Sequence, residues 1–297
     1  MKFSMQWIRH SIQVLVFISL IIAPALSAYL FPLLFNDVFS IHWMEGKLRG
    51  NTWAAELFSF TLLDPLAALE SIMAGKTHIW KTLAGATLPI LLTVVFGRFF
   101  CSWICPLGFI LELNTKIRTL LSRFSFSLNE ITFWKGHKYI VLASGLLIAF
   151  TFSFPLFPYI YLPAALARDI NQTMYGLYEI LAFEHGPVFI AGLSWSMLLI
   201  FALLIIEIFL SKRLWCRSFC PGGALYSLIG WKRVLRISSP DDQCTNCGDC
   251  IKVCPMGLNP MLDQTGVACD NCFSCKSVCP TSALHYELGR IKKEQGK

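Results

Sequence analysis

The chain has 297 residues, of which 55% are hydrophobic and only 14% charged, and its mean hydropathy is +0.58. This composition excludes an ordinary soluble domain and is typical of a protein embedded in a lipid bilayer. The net charge of +7 comes from residues 1–236, which hold 19 Lys and Arg against 11 Asp and Glu. We attribute this basic charge to membrane topology and expect no nucleic-acid partner.

Four apolar stretches are long enough to cross a membrane as helices. Their approximate limits are Gln13 to Phe35, Leu83 to Phe100, Tyr139 to Tyr159 and Val188 to Leu210. The first stretch is not typical of a removable signal peptide, because it is long, contains Pro24 and Pro32, and lacks a convincing small-residue cleavage site. We therefore predict that residues 1–236 form a membrane domain, an all-α bundle with four transmembrane helices.

The distribution of basic residues predicts how this bundle is oriented. The N-terminus and the connections after the second and fourth stretches hold fourteen Lys and Arg, whereas the two opposite connections hold five. Because Lys and Arg are enriched in cytoplasmic connections, both termini are expected in the cytoplasm. Three tryptophans near the cytoplasmic boundary are interpreted as an aromatic belt: Trp103, Trp215 and Trp231.

A repeated motif ends the second and fourth apolar stretches. Residues 98–108 and residues 213–223 share the pattern R-x-x-C-x-x-x-C-P-x-G. Positions i and i+4 lie on one face of a helix, so both sulfurs of each pair are expected to point the same way. The Pro and Gly that follow are expected to end that helix. We predict two tandem repeats, each a pair of spans with a half-buried segment between them, near 60–75 and 160–180.

Eight of the twelve cysteines form two copies of the run C-x-x-C-x-x-C-x-x-x-C-P. Bacterial ferredoxins with two [4Fe–4S] clusters have this spacing, and the fourth cysteine of each run binds the other cluster. The alternative is a zinc ribbon or a disulfide framework, but zinc sites use C-x-x-C pairs with long gaps. The predicted ligands are Cys244, Cys247, Cys250 and Cys279 for one cluster, and Cys269, Cys272, Cys275 and Cys254 for the other.

Two clusters in one small module indicate electron transfer. Residues 237–297 are predicted to form this cytoplasmic module, a small α+β ferredoxin-like domain that we call the ferredoxin module. Because about 60 residues bury little apolar surface, its core is expected to consist mostly of the clusters. A cytoplasmic location suits this chemistry, since thiols there stay reduced.

The four remaining cysteines have three interpretations. They form a third iron–sulfur or metal site between the repeats, they act as redox-active dithiols, or they pack helix ends beside a quinone or a partner. The spacing C-x-x-x-C is a weak ligand signal by itself, and its repetition at matching helix ends strengthens it. These residues are Cys101, Cys105, Cys216 and Cys220.

Together these features resemble the NapH family, the membrane ferredoxin subunits of the periplasmic nitrate reductase system, which are proposed quinol dehydrogenases. The resemblance covers most of the chain. It rests on the four spans, the cytoplasmic termini, the Asp64-Pro65 segment, both C-x-x-x-C-P motifs and both C-terminal runs. Families with the same parts include membrane polyferredoxins of nitrous-oxide reductase maturation, methylamine utilisation and cytochrome oxidase assembly.

The resemblance implies a multi-pass protein of the bacterial inner membrane that passes electrons from the quinol pool toward a periplasmic reductase. It implies an electron-transfer subunit rather than a complete enzyme. The implied partners are membrane lipid and quinone, with an iron–sulfur protein or a multihaem cytochrome c. Because the clusters are expected to face the cytoplasm, a second function stays open: a maturation or reactivation factor that delivers cytoplasmic electrons to metal-centre assembly. A membrane anchor for a partner ferredoxin is a third.

Quinol oxidation also releases protons, which need an ionisable group at membrane depth. The candidates are Asp64, Glu70 and Glu207, with His42 and His78 as weaker ones. Asp64 has a structural alternative as the N-cap of a helix that Pro65 begins. Glu207 has the alternative of an ion pair with Lys212 and Arg213.

Overall fold

The structure is a computed structural model that describes residues 5–29, 54–57, 60–75, 79–124, 131, 133–134, 136–182, 195–238, 243–261 and 267–288. Side chains are described within these ranges except at 23–29, 54–61, 171 and 174–182. His42 and His78, the weaker proton candidates, lie outside the described residues.

The described part of the chain is mostly helical. The helices are α1 (Met5–Tyr29), α2 (Pro65–Met73), α3 (Ile79–Phe96), α4 (Phe99–Trp103), α5 (Pro106–Arg123), α6 (His137–Phe152), α7 (Phe157–Ile160), α8 (Leu162–Ala182), α9 (Trp195–Phe209), α10 (Pro221–Ile229), α11 (Asp249–Val253) and α12 (Ser274–Val278). The strands are β1 (Ala54–Leu57), β2 (Phe60–Leu63), β3 (Leu235–Ser238) and β4 (His285–Leu288). A π-helical turn, Trp215–Phe219, precedes α10.

Two of these helices, α1 and α3, are long and apolar enough to cross a membrane. Helices α6 and α9 are also apolar but have 16 and 15 residues, so four complete spans remain a prediction. The second predicted stretch ends at Phe96 rather than Phe100, because Gly97 adopts a φ of 68° that ends the helix. The third ends before its predicted limit, where Ser153 adopts a φ of 50° ahead of Pro155.

The segments between the spans are helical. Helix α2 begins at Pro65 and α8 occupies most of the second predicted segment, where it packs against α1. A buried core joins α2, α6, α7, α8 and α10, so elements of both repeats share one interior. Its members are Leu66, Leu142, Phe157, Tyr161, Ala164, Cys220 and Ala224.

The C-terminal module combines a two-stranded sheet with two short helices. Strands β3 and β4 are antiparallel, with Leu235 opposite Leu288 and Ser238 opposite His285. Helices α11 and α12 lie against each other between these strands in the chain. Cysteines contribute to a small core around Ile237. Strand β3 starts before residue 237, so it crosses the predicted domain boundary.

Candidate metal centre

The eight cysteines of the C-terminal runs line two separate pockets. The distal pocket is lined by Cys244, Cys247, Cys250 and Cys279. The proximal pocket is lined by Cys254, Cys269, Cys272 and Cys275. Each pocket therefore combines three cysteines of one run with the fourth of the other, as in the predicted ligand sets. This geometry supports the sets, and the binding roles themselves remain a prediction.

The distal pocket fits a polynuclear cluster better than a single ion. In a structural zinc site every ligand atom lies about 2.0–2.3 Å from one ion. Among the side chains that the structure describes, no three His, Cys, Asp or Glu groups converge closely enough to hold one ion. The distal cavity has a volume of about 280 Å³. Four thiols around a cavity of this size are the donor set that a [4Fe–4S] cluster requires.

The two runs share one backbone turn. Asn246 and Asn271 occupy equivalent positions with φ of 53° and 52°, which Asn tolerates better than most residues. Further along, Gly248 and Phe273 have φ of 74° and 62°. Glycine adopts this conformation freely, whereas phenylalanine does so only under strain, so other contacts of Phe273 must offset that strain.

The thiols of the two pockets differ in burial. Cys247 is exposed in the distal pocket, whereas Cys272 and Cys275 are buried in the proximal pocket. Burial raises the pKa of the Cys275 thiol to about 12, and it raises the pKa of Cys272 well above its ordinary value. Only a thiolate binds iron, so an iron centre in this pocket would itself supply positive charge that keeps these two sulfurs ionised.

The membrane domain holds the loop of the proximal pocket through the first motif. Three side chains of that motif donate hydrogen bonds to backbone carbonyls of the loop: Arg98 to Ala268 at 3.1 Å, Ser102 to Asp270 at 2.7 Å and Trp103 to Asn271 at 3.2 Å. The Phe273 ring packs edge-on against Trp103, with centroids 5.9 Å apart, and stacks on Tyr286 at 4.1 Å. The interpretation of Trp103 as a belt residue is wrong, because its indole is buried in this contact.

Arginines surround the proximal pocket. Their contacts are Arg233 Nη1 to Cys269 O at 2.8 Å, Arg217 Nε to Pro255 O at 3.1 Å, and Arg213 Nη1 to Asp270 Oδ2 at 3.5 Å. Arg98, Arg213 and Arg233 are buried, and the Nε of each lacks a hydrogen-bond partner among the described residues. From the sequence, these arginines were interpreted as topology signals, and Arg213 also as an alternative ion-pair partner of Glu207. The sequence did mark two of these arginines, since Arg98 and Arg213 are the first residues of the two repeated motifs.

The motif cysteines lie at helix junctions rather than on one helix face. Cys101 belongs to α4 and Cys216 to the π-helical turn, whereas Cys105 and Cys220 cap the next helices. The caps are hydrogen bonds from Gly108 N to Cys105 Sγ at 3.4 Å and from Gly223 N to Cys220 Sγ at 3.3 Å. The expectation of an i, i+4 pair on one continuous helix is therefore wrong. The proline ends one helix and begins the next at its first position.

The two motifs contact each other reciprocally. Arg98 Nη2 donates to Cys216 O at 3.4 Å, and Arg213 Nη2 donates to Gly108 O at 3.4 Å. A Cβ on Gly223 would lie 2.8 Å from Arg98 Nη2, so this close approach requires glycine. The motif thiols also interact electrostatically with one another across the repeats, as Cys105 and Cys101 do with Cys220. The two motifs therefore meet at the junction of the repeats, beside the proximal loop.

The three candidate carboxylates are buried and bonded to backbone amides. The amides are those of Leu66 for Asp64 at 2.8 Å, Phe157 for Glu70 at 2.8 Å and Trp215 for Glu207 at 3.0 Å. Asp64 thus is an N-cap, and its second oxygen accepts a bond from Tyr161 Oη at 3.5 Å. Asp64 acts electrostatically on the motif thiols Cys101 and Cys220, and Glu207 acts on Cys216, so both carboxylates lie near motif thiols.

Glu112 on α5 links α1 to the second motif. It accepts hydrogen bonds from Arg9 at 2.6 and 2.8 Å, and it lies 2.8 Å from His10 Nε2 and 3.2 Å from Arg213 Nη2. Burial favours a higher pKa for this carboxyl. The bonds from Arg9 and His10 and the charges of Arg213 and Arg9 outweigh it, so the pKa falls to about 2. Glu112 therefore stays ionised at neutral pH.

Comparison with known proteins gives a family match and several similar relatives. A family model described as a 4Fe-4S binding domain matches residues 79–125 and 193–240, which contain the two C-x-x-x-C-P motifs. The methylamine utilization ferredoxin-type protein MauN of Methylorubrum extorquens is 30% identical over 74% of this chain and 70% of its own length. MauN of Paracoccus denitrificans is 32% identical, and the ferredoxin-type protein NapH of Escherichia coli 30% identical, each over 70% of this chain and 66% of its own length. No solved structure matches the chain.

Proposed function

Because the chain belongs to the NapH and MauN family of ferredoxin-type membrane proteins, we propose that it passes electrons from the quinol pool toward a periplasmic reductase such as nitrate reductase. It is a ferredoxin-type 4Fe–4S electron-transfer protein, and in this proposal it is the quinol-oxidising component rather than a complete enzyme. The observation that carries the proposal is the contact between the proximal cysteine loop and the first motif of the membrane domain.

The proposal assigns the eight C-terminal cysteines to two [4Fe–4S] clusters, with the distal and proximal sets as their ligands. When bound, the clusters supply one-electron redox chemistry. The protein positions one set of thiols against the membrane domain and leaves the other near solvent. The proposed topology has four spans in the inner membrane, with both termini and residues 237–297 in the cytoplasm.

The Asp64–Tyr161 pair is the proposed site of proton transfer from quinol. It is buried beside motif thiols, and Asp64 is one of the few ionisable groups at that depth. A quinol at this site would lie near Arg98, which interacts with the motif thiols Cys101 and Cys220. Arg98 also donates a hydrogen bond to Ala268 O in the proximal loop, so it connects the proposed quinol site to that loop. Asp64 would accept a proton while the electron leaves toward the proximal pocket.

The four motif thiols are proposed as a third redox centre on the same path. Their position at the repeat junction supports this assignment, as does the match of a 4Fe-4S binding family model to both motifs. Iron content of the Cys101→Ser, Cys216→Ser double variant tests it. A loss of iron beyond the two C-terminal clusters is expected, and unchanged iron in a chain that holds only two clusters contradicts a third iron–sulfur centre.

A quinol titration tests the main proposal. Oxidised protein in detergent receives a short-chain quinol under anaerobic conditions, and bleaching of the cluster absorbance is expected. The Asp64→Asn variant keeps an oxygen that caps α2 but cannot take up a proton, so its bleaching should slow by about 100-fold or more. Full bleaching of both proteins by dithionite is the control for intact clusters. No bleaching of the parent protein by quinol contradicts the proposal.

The exposed distal pocket favours the second candidate function, in which cytoplasmic electrons support maturation or reactivation of a metal centre. Cys247 is exposed and Ile251 beside it is 44% exposed, which leaves an open face for a soluble carrier. Reduced ferredoxin or flavodoxin should then bleach the clusters in protein that quinol leaves oxidised. A partner iron–sulfur protein or a multihaem cytochrome c remains the proposed acceptor in the first function.

A further inference from the structure

The proximal pocket has an excess of buried positive charge. Arg98, Arg213 and Arg233 are each 1–2% exposed. The carboxylate that contacts this group is Asp270, which lies 3.5 Å from Arg213. Glu112 also contacts Arg213, but it already binds Arg9 and a histidine. Asp270 and the shared Glu112 leave part of this charge unbalanced, and proximal thiols ionised on iron would help to balance it, because a buried uncompensated charge is strongly unfavourable.

Two of these arginines act on the cysteines of the proximal pocket themselves, whereas Arg98 donates to Ala268 O of the loop and interacts with the motif thiols. Arg233 donates to Cys269 O at 2.8 Å, and its charge acts on the Cys269 thiol. Arg213 interacts electrostatically with Cys272. Arg213 has a φ of 49°, an unfavourable conformation for a residue other than glycine, so the fold holds this guanidinium in place at some cost.

The distal pocket has no comparable charge in the part of the chain that the structure describes. The cation that acts on its thiols is Lys252, which interacts with Cys247. Its side chain is 76% exposed and paired with Asp249 at 2.9 Å. Solvent and this partner screen most of its effect.

Charge and burial act on a cluster in opposite directions. A [4Fe–4S] cluster with four thiolates has a formal charge of about −2 when oxidised and about −3 when reduced, so nearby cations favour reduction and desolvation opposes it. In the proximal pocket three buried guanidiniums lie near the added electron, and the carboxylates that contact them are Asp270 and Glu112, which also binds Arg9. Their interaction is not screened by water, so we expect the cations to prevail over desolvation.

We propose that Arg98, Arg213 and Arg233 hold the reduction potential of the proximal cluster above that of the distal cluster. The inference rests on the proposed function for the presence of both clusters. In the transfer that follows, the reduced distal cluster loses one electron and the oxidised proximal cluster gains it, with no proton exchanged. Electrons that enter at the distal cluster from a soluble carrier would therefore pass toward the membrane face, which is the direction of the second candidate function, whereas electrons from quinol would reduce the proximal cluster before the distal one.

A redox titration followed by electron paramagnetic resonance tests this order in the unmodified protein. Two midpoints are expected, and the higher one belongs to the proximal cluster. Cys247→Ser, which alters a proposed distal ligand, identifies the distal signal by changing or removing the lower midpoint. If the higher midpoint responds to Cys247→Ser instead, the inference is overturned while the proposal of two clusters stands. Absence of two clusters contradicts the proposed function itself.

Substitution of Arg233 tests the cause of the order. Arg233→Gln should lower the equilibrium constant for reduction of the proximal cluster by about tenfold, which lowers its midpoint potential by about 59 mV for a one-electron couple. The distal midpoint should not move. Arg233→Lys retains the charge and should restore most of the parent value. Lys252→Gln removes an exposed charge beside the distal pocket and should leave both midpoints unchanged.

An unchanged proximal midpoint in Arg233→Gln, or an equal shift of both midpoints, contradicts the role of the arginines. If Arg233→Gln fails to assemble the proximal cluster, Arg98→Gln replaces it in the same titration. If neither variant assembles, a distal midpoint at or above the proximal midpoint in the unmodified protein still overturns the inference.

Discussion

The two cysteine runs have the same spacing and the same backbone turn, yet the protein uses them differently. The distal turn has Gly248 where the proximal turn has Phe273, and both residues have a positive φ. At the proximal position the strained phenylalanine packs against Trp103 of the membrane domain. At the distal position a Cβ on Gly248 would meet nothing within 4 Å. The same turn is thus fixed against Trp103 in the proximal half of the module and open in the distal half.

The largest difference between the two halves is expected when one cysteine ligand is removed from each in turn. Cys247→Ser should cost one cluster and leave the module docked, with about half the iron retained. Cys272→Ser should also remove thiolate charge that faces the buried arginines, which costs about 3–5 kcal/mol and loosens the module from the membrane domain. Iron content and limited proteolysis of both variants measure the difference. Equal protease resistance of the two variants contradicts a fixed proximal half.

Truncation of Trp103 should release the fixed half without touching a cysteine. Trp103→Ala removes a buried indole and should destabilise the protein by about 3–5 kcal/mol. Trp103→Phe keeps the ring contact, loses the bond to Asn271 O and should cost about 1 kcal/mol. Thermal unfolding in detergent gives both values. The control Trp231→Ala changes a side chain that is 63% exposed and should have little effect.

Glu112→Gln should weaken the connection between α1 and the motif that carries Arg213. The charge-assisted bonds of Glu112 are worth about 1.5–3 kcal/mol. Because folding lowers its pKa from 4.5 to about 2, this stabilisation is complete above pH 4.5 and is lost as the pH falls toward 2. Between these pH values, the melting temperature of the helices in the metal-free protein should depend less steeply on pH in the variant than in the parent. Parallel pH profiles would count against the assignment.

The smallest expected effect is at the distal turn. Gly248→Ala places a Cβ on a residue with a φ of 74° and should cost about 1 kcal/mol from backbone strain alone. Gly248→Asn should cost less, since Asn tolerates this region. The temperature at which the spectroscopic signal of the distal cluster is lost measures the cost in each variant. A larger cost for Asn than for Ala would mean that the turn is crowded by a partner.

The sequence was most informative where chemistry restricts spacing. The crossed cysteine sets were predictable because a cubane needs three ligands around one corner and a fourth from elsewhere, and the pockets have those linings. The cap at Asp64 followed from an Asp-Pro pair, since proline at the first helical position leaves the preceding side chain free to bind the next amide.

The sequence was least informative where a residue has several uses. Helical periodicity could not reveal that Cys105 caps a new helix, because the same proline both ends one helix and begins another. Charge counts assigned Arg98, Arg213 and Arg233 to topology, although their burial depends on tertiary contacts with the proximal loop. The strain at Phe273 was also hidden, since a positive φ is not encoded by that residue type.

Iron and sulfide analysis of the full chain, purified anaerobically from membranes, tests the central claim most directly. Two cubane clusters predict about eight iron atoms and about eight labile sulfides per chain, with a third centre adding to both. Reduction should give a paramagnetic signal from each half. A colourless protein that contains zinc instead of iron, or that holds no metal in either pocket, would contradict the account.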